Sequence, residues 1–214
     1  MVRMPRPPSS PSSRPYHHGD LRATLLKSAE RTLREKGAGA LSLRELARAI
    51  GVSHAAPGRH FKDKQALLDA LALDGYERLN RALGAAAETP GLDFEGRMAA
   101  LARAYLGFAV DNPELLELMF ARKHAPEHAP EGSDSSDRLA AAVDQSLGSI
   151  TAMITDAQER GEIVQADPER ITTIAAASLH GLAALIASCA LDAEEAMGGL
   201  DEHVHLLLNG LRPR

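Results

Sequence analysis

From residue 20 onward, apolar side chains recur along this chain at intervals of three and four, the spacing that gathers them on one face of an α-helix. Leu25, Leu26, Ala29 and Leu33 form the first stripe, with Asp20 placed to cap it and Gly37 placed to end it left-handed, which predicts a helix to about Lys36. Ser42 and Glu45 have capping-box spacing, and Leu43, Leu46, Ala47 and Ile50 predict a helix of two turns that Gly51 stops. Ser53 is placed to cap a further short helix, His54 to Phe61, and Asp63 to cap a long one carrying Leu68, Leu71, Tyr76, Leu79 and Leu83. Asp93 opens a stripe of Met98, Leu101, Tyr105 and Phe108, and Asn112 with Pro113 opens another through Leu115, Leu116, Met119 and Phe120. Residues 122 to 137 have loop composition. Beyond them the pattern predicts a helix from Leu139 to Arg160 ended by Gly161, a long apolar helix opened by Asp167 and Pro168, and one last helix through Met197, Leu200, Val204, Leu207 and Leu211. No segment alternates as a strand does, so the expectation is an all-α fold of about nine helices.

Composition agrees with that pattern. The chain has 214 residues, of which 44% are apolar, enough for one or two domains with a real core. Seven aromatic residues and no Trp, beside abundant Ala and Leu, suit close-packed helices better than a β-sandwich. The one cysteine, Cys189, cannot form an internal disulfide, which points to a reducing, cytoplasmic compartment; within an Ala-rich apolar run it reads as a small core residue. The stretch from Ile171 to Leu191 lacks any Asp, Glu, Lys or Arg and is long enough to span a bilayer. Four Thr or Ser, His180, Gly181 and the lack of flanking Trp or Tyr argue instead for a helix buried on most sides by protein. The N-terminus has no apolar signal run, so neither export nor a membrane partner is expected.

Charge divides the chain in two. Residues 1–64 carry 13 Lys or Arg against 5 Asp or Glu, and residues 65–214 carry 11 against 24. Residues 1–19, with five prolines, four serines and three arginines, read as a flexible basic arm that either solvates or lies in a DNA minor groove. Residues 20–65 then form a basic module too small for most chemistry, suited to a polyanion. Two short helices joined at Gly51, the second capped by Ser53 and flanked by bases, match the helix-turn-helix, whose second helix enters the major groove. Ala47 is small enough for the helices to cross closely, and Ser53 ties down N–H groups where that helix would face phosphate.

These residues also resemble a known family. Tyr16 to Leu26, and then SLRELARAIGVSHAAPGRHFKDKQALL from Ser42 to Leu68, are similar to the DNA-binding domain of TetR-family regulators. The specific elements are A-x₃-G-V-S, then R-H-F, then Lys ahead of A-L-L. The resemblance implies a homodimer with a three-helix DNA-binding head and, over residues 66–214, a helical domain that binds a small effector and dimerises through its last two long helices. The L-H-G-L run from Leu179 to Leu182 resembles a subgroup with a His-Gly pair in the penultimate helix, although the Trp that often precedes that pair is missing. By the same match, Arg44 and Ser53 approach phosphates, His54, Ala55 and Arg59 face base edges or the groove wall, and His60 and Lys64 touch the DNA backbone. An Arg can address guanine bidentately, and an Ala methyl can meet the thymine methyl. Phe61 is expected in the core. The chain departs from the family at Gly58, where relatives usually place a Tyr that offers its hydroxyl to phosphate; weaker or more salt-sensitive operator binding is the expected consequence.

For the second domain the sequence leaves alternatives open. Ile171, Ile174, Ser178, Leu182 and Leu185, with Val204, Leu207 and Leu211 of the last helix, either build a four-helix dimer interface or are buried within one chain. Tyr105, Phe108, Met119, Phe120 and Met153 either line an effector pocket or are plain core, and His180 serves either a ligand or an interface carbonyl. The effector implied is an unidentified, mostly apolar small molecule, and the DNA partner a palindromic operator. Neither a metal nor a cofactor is expected. His124 and His128 are interrupted by Pro126, His203 and His205 point to different sides of a helix, and no nucleotide or hydrolase fingerprint occurs. The functional expectation is a non-enzymatic transcriptional regulator, a repressor released by its effector. The rivals are a helical enzyme, or an effector-independent activator, with a degenerate DNA-binding head.

Overall fold

A computed structural model describes residues 18–123 and 134–211. Among them the structure is all-α: α1 (His18–Lys36), α2 (Leu43–Ala49), α3 (Lys64–Ala87), α4 (Phe94–Asp111), α5 (Pro113–Lys123), α6 (Asp134–Glu159), α7 (Pro168–Ala187), α8 (Ala193–Gly198) and α9 (Leu200–Asn209), with single 3₁₀ turns at Ala38–Ala40 and Pro57–Arg59. The nine α-helices are not quite the nine expected, because one expected helix is lost and another is split.

The lost helix is the segment after Ser53. Pro57 has no N–H to return to the Ser53 carbonyl, so the chain closes three-residue turns instead: Ala56 N–H donates to Ser53 O at 3.0 Å and Arg59 N–H to Ala56 O at 3.2 Å. Gly58 adds no helix propensity. Only Phe61 N–H, donating to Pro57 O at 2.9 Å, recovers the helical interval. The split falls at Gly199, which ends α8 and precedes α9. Two starts also shift: α1 begins at His18, ahead of Asp20, and α6 begins at Asp134 rather than Leu139.

The caps predicted at Asp63, Asp93 and Asp167 hold, whereas Asp20 lies inside α1 and Ser53 heads no α-helix to cap. Asp63 Oδ1 accepts from Ala66 N–H at 2.8 Å, Asp93 Oδ1 from Gly96 N–H at 2.8 Å, and Asp167 Oδ1 from Glu169 N–H at 3.0 Å. Ser42 is different. It has the extended backbone of a cap but makes no side-chain capping bond, and Glu45 pairs with Arg48 instead of reaching back to it. Gly51 and Gly161, with φ of 74° and 70°, make the left-handed exits expected of them, whereas Gly37 has φ 75° but ψ 170°, a positive-φ turn and not the αL cap expected there.

α3 is the axis of the molecule. It packs on α1, α4, α5 and α6; α7 covers α4 and α6, and α9 lies on α4. One continuous core runs from Leu25, Leu46 and Phe61 at the head through Leu67, Leu71 and Tyr76 to Leu106, Met119 and Ile154. At Gly75 the helices α3 and α5 approach so closely that a Cβ would lie 2.6 Å from Met119 Sδ. Arg78 joins three parts of the chain: its guanidinium donates to Glu30 of α1 and to Asn112 between α4 and α5, both at 2.8 Å, and lies 5.8 Å from the Phe108 ring.

Candidate nucleic-acid interface and ligand cavity

The turn between α2 and the Ser53 segment is built by Gly51. Val52 N–H donates to Ala47 O at 3.0 Å and Gly51 N–H to Arg48 O at 3.3 Å, the paired bonds of a Schellman exit. Ala47 and Leu46 of α2 are buried beneath it. Pro57 and Phe61 anchor the following segment in the core, with the Arg22 guanidinium 5.5 Å from the Phe61 ring. The anchors leave Ser53, His54, Ala55, Gly58 and Arg59 exposed on one projecting turn.

Arg44 is exposed on α2, and neither it nor Arg59 makes an ion pair with any described residue. His60 is half-buried. Lys64 spends one N–H on Gly39 O at 2.9 Å, which fixes the amine beside the 3₁₀ turn while two donors remain. Arg48 is paired with Glu45. All seven residues expected to meet DNA are thus on the head: Arg44 stands on α2, Lys64 opens α3, and the other five lie on the segment between, which holds a 3₁₀ turn at Pro57–Arg59 and not the α-helix expected from Ser53.

A cavity of about 360 Å³ lies between α3, α4, α5, α6 and α7. Leu79, Leu83, Leu101, Val143 and Ile150 supply most of its apolar wall. Of the six residues expected at a pocket, Tyr105, Phe120 and His180 line it. The other three do not. Met119 is wholly buried against Gly75, Phe108 lies under Arg78, and Met153, on the same face of α6 as Ser146, is half-buried against the core beyond the cavity. Sequence reasoning missed Tyr76, Met98, Ser146 and Thr173; their stripes were visible, but which side of each helix faces the void is set by packing.

His180 is the polar centre of that wall. Its ring stacks on Phe120 with centroids 4.0 Å apart, and its Nδ1 is 2.9 Å from the Tyr105 hydroxyl. Burial lowers the His180 pKa below its ordinary value. Burial also raises both tyrosines, Tyr76 to about 12, and the Tyr105 shift is reinforced by its neighbour Tyr76.

The expected dimer stripe divides. Ile174 and Leu185 are 62% and 49% exposed, and with Ser178 and Gly181 they form one outward line. Ile171 and Leu182 sit about 60–80° further round α7. Ile171 is buried, and Leu182 packs on the core. On α9 Val204 is buried, Leu207 and the following Leu211 pack inward, and the exposed apolar residue is Leu206, at 64%. Nor is α7 buried on most sides within one chain: only 22% of its most apolar stretch is covered, and the helix is long and apolar enough to cross a membrane by those criteria alone. Cys189 is likewise no core residue. It lies just past the end of α7, exposed, with φ 57°. His203 and His205 face different partners, Ser178 at 2.8 Å and Glu95 at 2.7 Å, whereas His124 and His128 fall outside the described residues.

An exposed basic turn set by a glycine exit, on a head joined by one long helix to a hollow helical body, defines the class of all-helical proteins with an N-terminal helix-turn-helix head and a larger C-terminal domain. Comparison with known proteins gives the family. The model of bacterial regulatory proteins of the tetR family matches residues 25–71, and that of the tetracyclin repressor-like C-terminal domain matches residues 98–210. The chain belongs to the TetR family. A solved protein of unknown function from Rhodococcus sp. RHA1 is 42% identical, with 94% of this chain and 100% of that one covered and a TM-score of 0.82. The TetR-family transcriptional regulator PfmR from Thermus thermophilus shares the fold at 23% identity, covering 88% and 99% of the two chains, with a TM-score of 0.68. An HTH-type transcriptional regulator of Mycobacterium tuberculosis is 29% identical over 144 residues, 67% of this chain, and the match spans 59% of that relative's length.

Proposed function

We propose that this chain is an effector-released transcriptional repressor that binds a palindromic operator as a homodimer. The observation that carries the reading is α3, which begins under the exposed Ser53–Arg59 turn at Lys64 and lines the cavity with Tyr76, Leu79 and Leu83. A ligand that fills the cavity pushes on the same rigid helix that sets the position of the head. If it prefers a conformation in which two heads no longer match successive major grooves, its differential affinity removes the dimer from DNA.

In this reading Arg44, Ser53, His60 and Lys64 hold phosphates, and His54, Ala55 and Arg59 enter the groove. Ile174, Ser178 and Leu185 of α7 and Leu206 of α9 form the contact across the two-fold axis. No catalytic step is required of any residue. Selection of bound sequences from random duplex DNA tests the reading: the expected product is a palindrome with half-sites one helical turn or a multiple apart, about 34 Å per turn. Failure to retard any duplex at low salt overturns it. The short 3₁₀ turn at Pro57–Arg59 favours one rival, a degenerate head on a helical enzyme, which would show the same failure together with turnover of a bound compound.

A further inference from the structure

Every hydroxyl on the cavity wall has a partner of its own. Tyr76 donates to Met119 O at 3.4 Å, Ser146 has both Asn80 Oδ1 at 2.5 Å and Ala142 O at 3.0 Å within reach, and Thr173 donates to Glu169 O at 2.8 Å. The Tyr105 hydroxyl meets only His180 Nδ1. With the Tyr105 phenol donating to Nδ1, its one neighbouring acceptor, the ring proton of neutral His180 sits on Nε2. Nε2 has no hydrogen-bond partner among the described residues and is not one of the fully buried unpartnered atoms, on a residue that lines the cavity. None of the described lining residues is Lys, Arg, Asp or Glu.

We propose that the cavity takes an uncharged, largely hydrocarbon ligand with one hydrogen-bond acceptor, a carbonyl or ether oxygen, which the Nε2–H of His180 reads. The inference rests on the reading of this cavity as the effector site. A carboxylate brought into this wall would lose its hydration without gaining a cation, and the neutral ring, kept so by burial and oriented by its stack on Phe120, offers a single dipole in return. The size also fits a compact molecule. A cavity of about 150 Å³ accepts benzene, so 360 Å³ has room for roughly twelve to fifteen non-hydrogen atoms.

An isosteric set tests this on the full chain by equilibrium dialysis without DNA: 2-acetonaphthone as the neutral acceptor, 2-isopropylnaphthalene as the hydrocarbon, and 2-naphthoate as the anion. The ketone is expected to bind at least ten-fold more tightly than the naphthoate. His180→Phe, which keeps an aromatic ring against Phe120, is expected to weaken the ketone about ten-fold while changing the hydrocarbon less than two-fold. His180→Gln, which places an amide N–H near the Nε2 position, is expected to recover most of the ketone affinity. Tightest binding of naphthoate, equal weakening of ketone and hydrocarbon in His180→Phe, or binding of none of the three overturns the proposal. Operator retardation is measured separately. Ketone binding that leaves operator affinity unchanged sinks the release mechanism and spares the ligand class, whereas retained DNA binding with an empty cavity does the reverse.

Discussion

Cys189 occupies the position that glycine occupies at two other helix ends of the same design. At α2 and α6 the residue after the cap is Gly51 or Gly161, and the two Schellman bonds close around it. At α7 the same bonds form, Ala190 N–H to Leu185 O and Cys189 N–H to Ile186 O, both at 2.9 Å, but around a side chain held at φ 57°. The left-handed region costs an L-residue about 1 kcal/mol or more. Cys189→Gly is therefore expected to stabilise the protein by about 1 kcal/mol, read as a higher urea midpoint under reducing conditions. Gly58 presents the opposite case. It is exposed, its φ is not positive, and a Cβ there meets nothing within 4 Å, so a larger residue is accommodated. Gly58→Tyr is expected to bind operator several-fold more tightly through an added phosphate contact; equal or weaker binding in a titration refutes the role given to that position. His180 supplies the pH dependence. Because burial lowers its folded pKa below 6.5, the unfolded chain takes the proton first as pH falls, and stability is lost below about 6.5. In His180→Phe that part of the acid-side loss disappears from a series of urea midpoints.

At the scale of elements, Arg78 is where the head is fastened to the body. It reaches from α3 to Glu30 of α1 and to Asn112 at the α4–α5 junction, and α5 is fastened to α3 by Arg122 and Asp69 at 2.7 Å. Arg78→Met keeps most of the stem over Phe108 but removes both charged hydrogen bonds, so a loss of about 1–2 kcal/mol is expected in thermal or urea unfolding. If α3 is the lever, the same variant loosens α1 against it, and effector is expected to release operator less completely while binding the cavity unchanged. The reading segment illustrates how two local rules compete. Ser53, the glycine turn and the flanking bases all argue for a helix, and each is where the sequence places it. Pro57 decides the outcome, because it is too far from Ser53 to be a first-turn residue and its missing N–H breaks the ladder at the bond that would have made the segment α-helical.

For the molecule as a whole, the uncovered line of Ile174, Gly181 and Leu185 with Leu206 is the feature that asks for a second copy. Large apolar side chains at half to two-thirds exposure on adjacent helices are costly in an isolated chain. Ile174→Asp combined with Leu206→Asp is expected to shift the protein from dimer to monomer in sedimentation velocity, with helical circular dichroism retained and operator affinity reduced at least ten-fold. A variant that stays dimeric would place the two-fold contact elsewhere.

Most of the helices, the aspartate caps at Asp63, Asp93 and Asp167, the glycine exits at Gly51 and Gly161, the basic head and the burial of Phe61 were legible in the chain because each depends on neighbours within a turn or two: a carboxylate at an N-cap, a glycine free to take positive φ, an apolar stripe at helical spacing. The outer face of α7 was not, since Ile171 and Ile174 belong to one stripe by composition and are separated only by the angle at which α7 settles on α4 and α6. The cavity was legible in part, through Tyr105, Phe120 and His180. Its other walls, and the pairing of Tyr105 with His180 across 75 positions of sequence, exist only once five helices have packed, because a void belongs to no single element and is left where their side chains fail to meet.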